Sequence, residues 1–292
     1  MSVVMTRIVS TINLKGGTGK TLMTVALAEF LSKEEKCRVL VIDVDPQTNA
    51  TVSLISQQDW DQRNDSGRTL AQLFKDKLEG TSSFSIYNSI IRNVSNIHGG
   101  IQGLDLLPSS LDLIDLQDKL PLIPATTNYR DDPVTVLEKA LKTILEGNEY
   151  NYVLIDCPPN LGLITQNALK ISDSYLIPVI PDILSTLGIP QIIKHVNQFA
   201  HNWEKQITPL GIILSKVREI NLHRSMALDL ENKARTGVYP PVWETKIKEA
   251  ARSAEAADFD AFPNTLKQKY GYGGYYEVYR SLVTEFRAKC PA

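Results

Sequence analysis

The sequence predicts an α/β fold: a doubly wound, mostly parallel sheet with helices on both faces. Two observations predict it. Short apolar runs rich in β-branched residues alternate along the chain with stretches of helical period. The first of these runs passes through a glycine-rich turn directly into a helical pattern. Strands that stay apolar along their whole length, rather than alternating, belong to sheets buried on both faces by crossover helices.

The elements follow in order. RIVSTIN (Arg7–Asn13) reads as the first strand, and KTLMTVALAEFLSKEE (Lys20–Glu35) as a helix with apolar residues at 22, 23, 25, 27, 30 and 31. RVLVID (Arg38–Asp43) and the short GLDLLP (Gly103–Pro108) are strands, and VTVLEKALKTIL (Val134–Leu145) is helical. YVLID (Tyr152–Asp156), SYLIPVI (Ser174–Ile180) and LGIILSK (Leu210–Lys216) are further strands, with helical patterns near 162–171 and 188–204 between them. Residues 57–100 are polar and broken, and read as a loop-and-helix elaboration on the sheet. KYGYGGYY (Lys269–Tyr276) reads as a Gly/Tyr hinge before a last helix at about 274–289. No internal repeat or low-complexity linker interrupts this rhythm, so one domain spanning 1–292 is expected.

Composition narrows the function class. The chain has 292 residues, 43% hydrophobic, with a formal net charge of −2, so global charge does not point to nucleic acid. From Pro190 onward, however, 15 Lys and Arg stand against 11 Asp and Glu, a modest basic excess at one end. The 3 cysteines (Cys37, Cys157, Cys290) are far apart and the 4 histidines have no ligand spacing, which excludes a disulfide framework and a zinc pattern. There is no apolar run fit for a signal peptide or membrane span, and a cytoplasmic protein is expected.

The chemistry lies in INLKGGTGKT (Ile12–Thr21). Glycines let successive backbone N–H groups point inward, and the helix that starts near Lys20 adds its positive end to the same place. Lys20 is placed for β- and γ-phosphates and the Thr21 hydroxyl for Mg²⁺. Yet the generic loop G-x-x-x-x-G-K-[ST] needs a glycine where this chain has Leu14, and a second lysine, Lys15, stands at the loop entrance. Two further strands end in acids. VLVIDVDPQTNAT (Val39–Thr51) carries Asp43 and Asp45, which would share a face on a straight strand, with Pro46 ending the strand. YVLIDCPPNLGLITQNAL (Tyr152–Leu169) carries Asp156. In a doubly wound sheet these acids and Lys20 converge outside the carboxyl ends of the strands.

Together KGGTGKT, VLVIDVDPQTNAT, GLDLLPSSLDL and YVLIDCPPNLGLITQNAL resemble the ParA/MinD group, the deviant-Walker branch of P-loop NTPases, and within it the ParA (Soj-like) partition and positioning ATPases. The likeness covers residues 7–56 and 101–182, is weaker from 183 to the end and is absent from about 57 to 100. The resemblance implies an ATP hydrolase, slow and partner-stimulated, with ATP and Mg²⁺ as cofactors. It implies that Lys15 is the signature lysine, reaching across a homodimer interface to the partner's ATP, and that Lys15, Lys20 and Asp45 are catalytic, Asp45 positioning the attacking water. Lys15, Gly16, Gly17, Thr18, Gly19, Lys20, Thr21 and the residue after it, Leu22, would hold the nucleotide, and Asp43 and Asp156 would lie near Mg²⁺. Thr18 stands where valine is usual, and PDILSTLGIPQII (Pro181–Ile193) replaces the family's more usual segment.

The resemblance further implies non-specific DNA binding by the ATP dimer, nucleoid association, and a cargo-linked adaptor similar to ParB or McdB that stimulates hydrolysis; the cargo is a plasmid, a chromosome or a protein organelle such as a carboxysome. Candidate DNA contacts are Lys216, Arg218, Arg224, Lys233, Arg235 and, foremost, Lys246, Lys248 and Arg252, the last two expected on one face of a helix. The first strand begins near Arg7, so a helix-turn-helix extension and a site-specific repressor role are not expected. The alternative is a MinD-like membrane ATPase, which needs a lipid-inserting C-terminal helix. Tyr275, Tyr279, Leu282, Val283 and Phe286 make an apolar stripe there, expected to be core, so no membrane partner is expected.

Overall fold

In the computed structural model, which describes residues 5–127, 131–249 and 263–292, six strands lie side by side: β1 (Arg7–Thr11), β2 (Val39–Asp43), β3 (Leu104–Leu107), β4 (Tyr152–Asp156), β5 (Ser174–Val179) and β6 (Thr208–Leu214). Their order is β3-β2-β4-β1-β5-β6 and every pairing is parallel. Crossovers supply the helices. α1 (Lys20–Lys33) joins β1 to β2. α2 (Asn49–Leu54), α3 (Gln57–Asp65), α4 (Leu70–Glu79) and α5 (Ile86–Ser89) lie between β2 and β3. α6 (Leu113–Gln117), α7 (Ile123–Thr126) and α8 (Val136–Glu146) lead to β4, α9 (Leu163–Ile171) to β5, and α10 (Ile183–Leu187) with α11 (Ile189–Asn202) to β6. α12 (Asn221–Arg235), α13 (Leu266–Tyr270) and α14 (Tyr275–Lys289) follow.

The two faces of the sheet carry two cores. Alternate strand residues Val9, Val41, Leu154, Leu176 and Ile213 pack with Leu27 and Phe30 of α1 and Leu282 and Phe286 of α14. Their neighbours Leu40, Ile42, Val153, Ile155, Ile177 and Leu214 pack with Phe74, Leu141, Leu169 and Val196 from α4, α8, α9 and α11. α1 lies between the sheet and α14 and is buried over most of its circumference, which is why it is apolar almost all round. The apolar stripe of α14 is thereby used inside the protein: Tyr279, Leu282, Val283 and Phe286 are buried. Among the described residues no helix is long and apolar enough to cross a membrane.

The Gly/Tyr stretch starts anchored, with the Lys269 and Tyr270 side chains buried against Glu29 of α1, at 2.8 and 2.7 Å. Two expectations are corrected. β2 ends at Asp43 rather than running on to Pro46, so Asp45 lies beyond the strand. Lys246 to Glu249 are not a helix start: Lys248 forms a parallel bridge with Val217, an extended backbone pairing. Arg252, expected to share a helix face with Lys248, lies outside the described residues.

Candidate functional site

The first parallel strand delivers its chain to the carboxyl edge of the sheet, and there the backbone must curl back to start α1. Gly17 (φ 75°) and Gly19 (φ 83°) adopt the left-handed conformation that L side chains rarely tolerate, and Gly19 is the residue preceding the helix. The curl is held from outside: the Ser215 hydroxyl donates to the Thr18 carbonyl at 2.6 Å, and the Asn13 side chain donates to Pro178 O at 2.7 Å while accepting from the Lys15 N–H at 2.9 Å. The Lys20 ammonium is buried and turns back to the Lys15 carbonyl at 3.4 Å.

The register of the sheet then sets the acids. Asp43 and Asp156 are direct partners across β2 and β4, and Thr11 of β1 is the next residue along the same row. Thr21 donates to Asp156 Oδ2 at 2.7 Å. Asp43 is fully buried and accepts from the Thr51 N–H and hydroxyl, both at 2.8 Å, and from the Asp45 N–H at 3.0 Å. Asp43 therefore fastens the start of α2 and the turn carrying Asp45, and because β2 ends at Asp43 the alternation of a strand does not relate the two acids. Asp45 Oδ1 accepts from the Gln47 N–H at 3.0 Å, and Asp45 lines the cavity with Gln47 and Asn49.

Two carboxylates side by side in a dry place oppose ionisation. Burial pushes the Asp43 carboxyl up to about 7, against the pull of the Thr51 and Asp45 hydrogen bonds. Burial, and then the neighbouring Asp43, push Asp156 well above the carboxylate range, against the Thr21 hydroxyl and the Lys20 charge. Burial likewise lowers Lys20, with Asp156 and Asp45 opposing.

The cavity at this edge has a volume of about 580 Å³ and is lined by the loop from Gly16 to Leu22, Asp45, Pro159 and Lys216. Two observations fit a polyphosphate with a hard divalent cation. Gly16 and Gly17 line the cavity, and a Cβ added at either meets no heavy atom within 4 Å, so this part of the loop is not packed against the protein. Asp156 Oδ1 is buried without a hydrogen-bond partner, a costly arrangement that a cation relieves.

The pKa shifts give a prediction. A carboxyl raised in the folded state binds a proton there that the unfolded chain releases, so this stability is present at low pH. It is lost as pH rises through the ordinary carboxylate range toward about 7 for Asp43. Asp156→Asn removes one of the two acids, so without Mg²⁺ its melting temperature should rise relative to wild type between pH 5 and pH 8, by roughly 2–4 °C. An equal difference at both pH values would contradict the pair's mutual repulsion.

Lys15, at the entrance, donates to Asp182 Oδ1 and Oδ2 at 3.2 and 2.9 Å. Its side chain is 34% exposed, at the rim rather than in the cradle. Several supports of the site carry no mark in the sequence. Ser109, after β3, donates to the Asp45 carbonyl at 2.8 Å, and its N–H donates to the Thr51 hydroxyl at 3.0 Å. Trp60 of α3 in turn donates to the Ser109 carbonyl at 3.0 Å, so the 57–100 elaboration props the turn that carries Asp45. The stretches holding Thr51 and Ser109 are marked by motif, but the roles of these side chains are not.

The basic candidates separate. Lys216, with φ 48°, lines the cavity described above rather than a distant face. Lys246 pairs with Glu231 at 2.9 Å, Lys248 with Glu219 at 2.7 Å and Lys233 with Asp229 at 2.7 Å, while Arg218 pairs with Glu249. Arg224 and Arg235 are exposed on α12.

Residues 6–209 match the family model AAA_31, described as AAA domain. The chain is 27% identical over 289 residues to the sporulation initiation inhibitor protein Soj of Bacillus subtilis, covering 97% of this chain and 99% of that protein. Its fold is similar to a plasmid partition protein from Borrelia burgdorferi bound to AMPPNP (TM-score 0.71, 21% identity, 97% of this chain and 99% of that one). It is equally similar to apo McdA from Cyanothece (TM-score 0.71, 20% identity, 96% of this chain and 99% of that one).

Proposed function

As the chain belongs to the AAA domain family AAA_31 and is a ParA-type deviant-Walker ATPase, we propose that it is an ATP-gated dimerising switch that positions or segregates a cargo. ATP with Mg²⁺ occupies the curl from Lys15 to Leu22. The backbone N–H groups and Lys20 bind the phosphates, Thr21 and Asp156 hold the cation directly or through water, and Asp43 stays behind them as the anchor of α2. The cation supplies charge neutralisation for phosphoryl transfer. Asp45 orients the attacking water. Lys15 contacts the triphosphate of a second copy, so two anionic sites close on each other when both are loaded. Hydrolysis is slow until a cargo-bound adaptor stimulates it.

The observation that carries this reading is the pair of lysines on one loop. Lys20 is buried under the curl and Lys15 stands partly exposed at its rim. On this reading Lys20 serves the chain's own phosphates, and Lys15, now paired with Asp182 at the rim, serves those of a second copy. Light scattering tests it: the protein should be a monomer without nucleotide and with ADP, and a dimer with ATP or a non-hydrolysable analogue. A monomer under all these conditions would overturn the reading.

In the ATP state the dimer binds DNA without sequence preference, through the basic residues around α12 and the segment 246–249. Each patch is partly neutralised by its own acids, so a monomer binds weakly, and two patches on one rigid dimer supply the avidity. Lys246→Ala with Lys248→Ala should lower the slope of log affinity against log salt by about 1 for each DNA phosphate no longer neutralised, with ATP dimerisation kept. An unchanged slope would place the DNA face elsewhere. A membrane role lacks support, because the stripe of α14 that would enter lipid is packed on α1. The 57–100 segment belongs to the same functional unit on this reading, since Trp60 supports the Asp45 turn.

A further inference from the structure

We propose that Asp182 is a positioning residue for Lys15: it holds the lysine on its own protomer until a partner's triphosphate displaces it, and so sets how much ATP the dimer requires. The proposal rests on the ATP-dimer reading above and names a control on that same site.

The geometry is specific. Asp182 precedes α10, and its Oδ1 accepts from the Ser185 N–H at 2.7 Å, an N-cap that fixes the carboxylate. Lys15 adds bonds to both oxygens of this already fixed group. Burial alone would raise the Asp182 carboxyl, but the Ser185 and Lys15 hydrogen bonds hold it below the usual range, so it is charged at neutral pH. The two ends of the ion pair are tied together independently of it. Asn13 bonds both the Lys15 N–H and the carbonyl of Pro178 at the end of β5, and a Cβ placed on Gly188, after α10, would stand 3.8 Å from the Leu14 side chain. The Lys15 backbone is therefore tied to the end of β5 apart from the ion pair, and only the ammonium has to move to meet a partner's phosphate.

The ion pair competes with the function proposed for Lys15. An ammonium held by one carboxylate, itself 25% exposed, is available to a stronger anion, and a triphosphate carries more charge and more acceptors. α10 also exposes Ile183, Leu184 and Leu187, at 56%, 71% and 64%, next to the ion pair. A second copy seated there would exclude water around Lys15 and make its attraction to phosphate stronger than any it feels in solvent. The Asp182 pair is thus an intramolecular competitor, present twice per dimer.

Asp182→Asn is the test, because asparagine keeps the cap on α10 and removes the charge. Exposed ion pairs typically contribute about 0.2–1 kcal/mol, and two are broken per dimer. The dimer dissociation constant in saturating ATP should therefore fall by roughly 2- to 30-fold in the variant. Asp182→Glu should lie near wild type. In parallel, acetic anhydride labelling of nucleotide-free protein, read by mass spectrometry at Lys15, should proceed faster in Asp182→Asn than in wild type. Equal labelling overturns the proposal, as does a variant that dimerises no tighter than wild type or more weakly; weaker dimerisation would mean that Asp182 acts across the interface. Faster labelling with no ATP dimer in either protein would establish the holding ion pair and overturn the dimer reading instead.

Discussion

Lys15→Ala is expected to bind ATP about as well as wild type and yet to remain a monomer. The backbone of residue 15 serves the loop, its N–H bonding Asn13 and its carbonyl accepting from Lys20 and Thr18. Alanine keeps all of these. The side chain bonds Asp182, at the rim, so its removal leaves the chain's own phosphate cradle intact. In the dimer the loss is larger. Truncating one partner of a buried charge pair costs about 2–5 kcal/mol, and it happens at two sites per dimer. A dimer dissociation constant raised by at least about 10³-fold follows. Light scattering of the ATP-loaded variant checks this, with nucleotide binding measured by fluorescence on the same sample. A dimer at wild-type concentration would remove Lys15 from the interface.

Asp45→Ala should separate closing from turnover. The Asp45 backbone is held at both ends, its N–H on Asp43 and its carbonyl under Ser109 and Thr48. The substitution therefore deletes a side chain that bonds the Gln47 N–H, without unfastening the turn. If that carboxylate orients the attacking water, phosphate release should fall by roughly 10²- to 10⁴-fold, the range typical of a positioned acid or base. ATP dimers and their DNA complexes should persist instead of decaying. Wild-type turnover in Asp45→Ala would assign the water to another group.

These roles differ in how far they can be read from residues. The strands are legible because β-branched apolar runs in a parallel sheet carry the signal along their whole length. Their ends are less so. The first strand stops at Thr11 and not Asn13, and the Asn13 side chain bonds Pro178 and Lys15 where the chain turns into the loop. The last leaves the ladder at Leu214, and Lys216 turns into the cavity with positive φ. A lysine after a strand gives no sign of whether it faces solvent or a nucleotide.

The phosphate curl, Thr21 and the acids are marked by spacing along the chain. Two kinds of feature are not. The props on Asp45, from Trp60 and Ser109, come from a polar, broken stretch and a strand end with no periodicity to read. The Lys15–Asp182 pair joins residues 167 apart, the second at the very end of the stretch that the family likeness covers. The resemblance implies a helix carrying Lys248 and Arg252, but the backbone at Lys248 forms a parallel bridge with Val217, and tertiary pairing overrides local propensity.

The most direct measurement is the position of the Lys15 ammonium in crystals grown with Mg²⁺ and a non-hydrolysable ATP analogue. Two copies should face each other, with Lys15 Nζ of each about 2.7–2.9 Å from a phosphate oxygen of the other's nucleotide and its own Asp182 released. A loaded protein in which Lys15 still rests on Asp182, with no second nucleotide in reach, would contradict the claim that each protomer closes on its partner's charge.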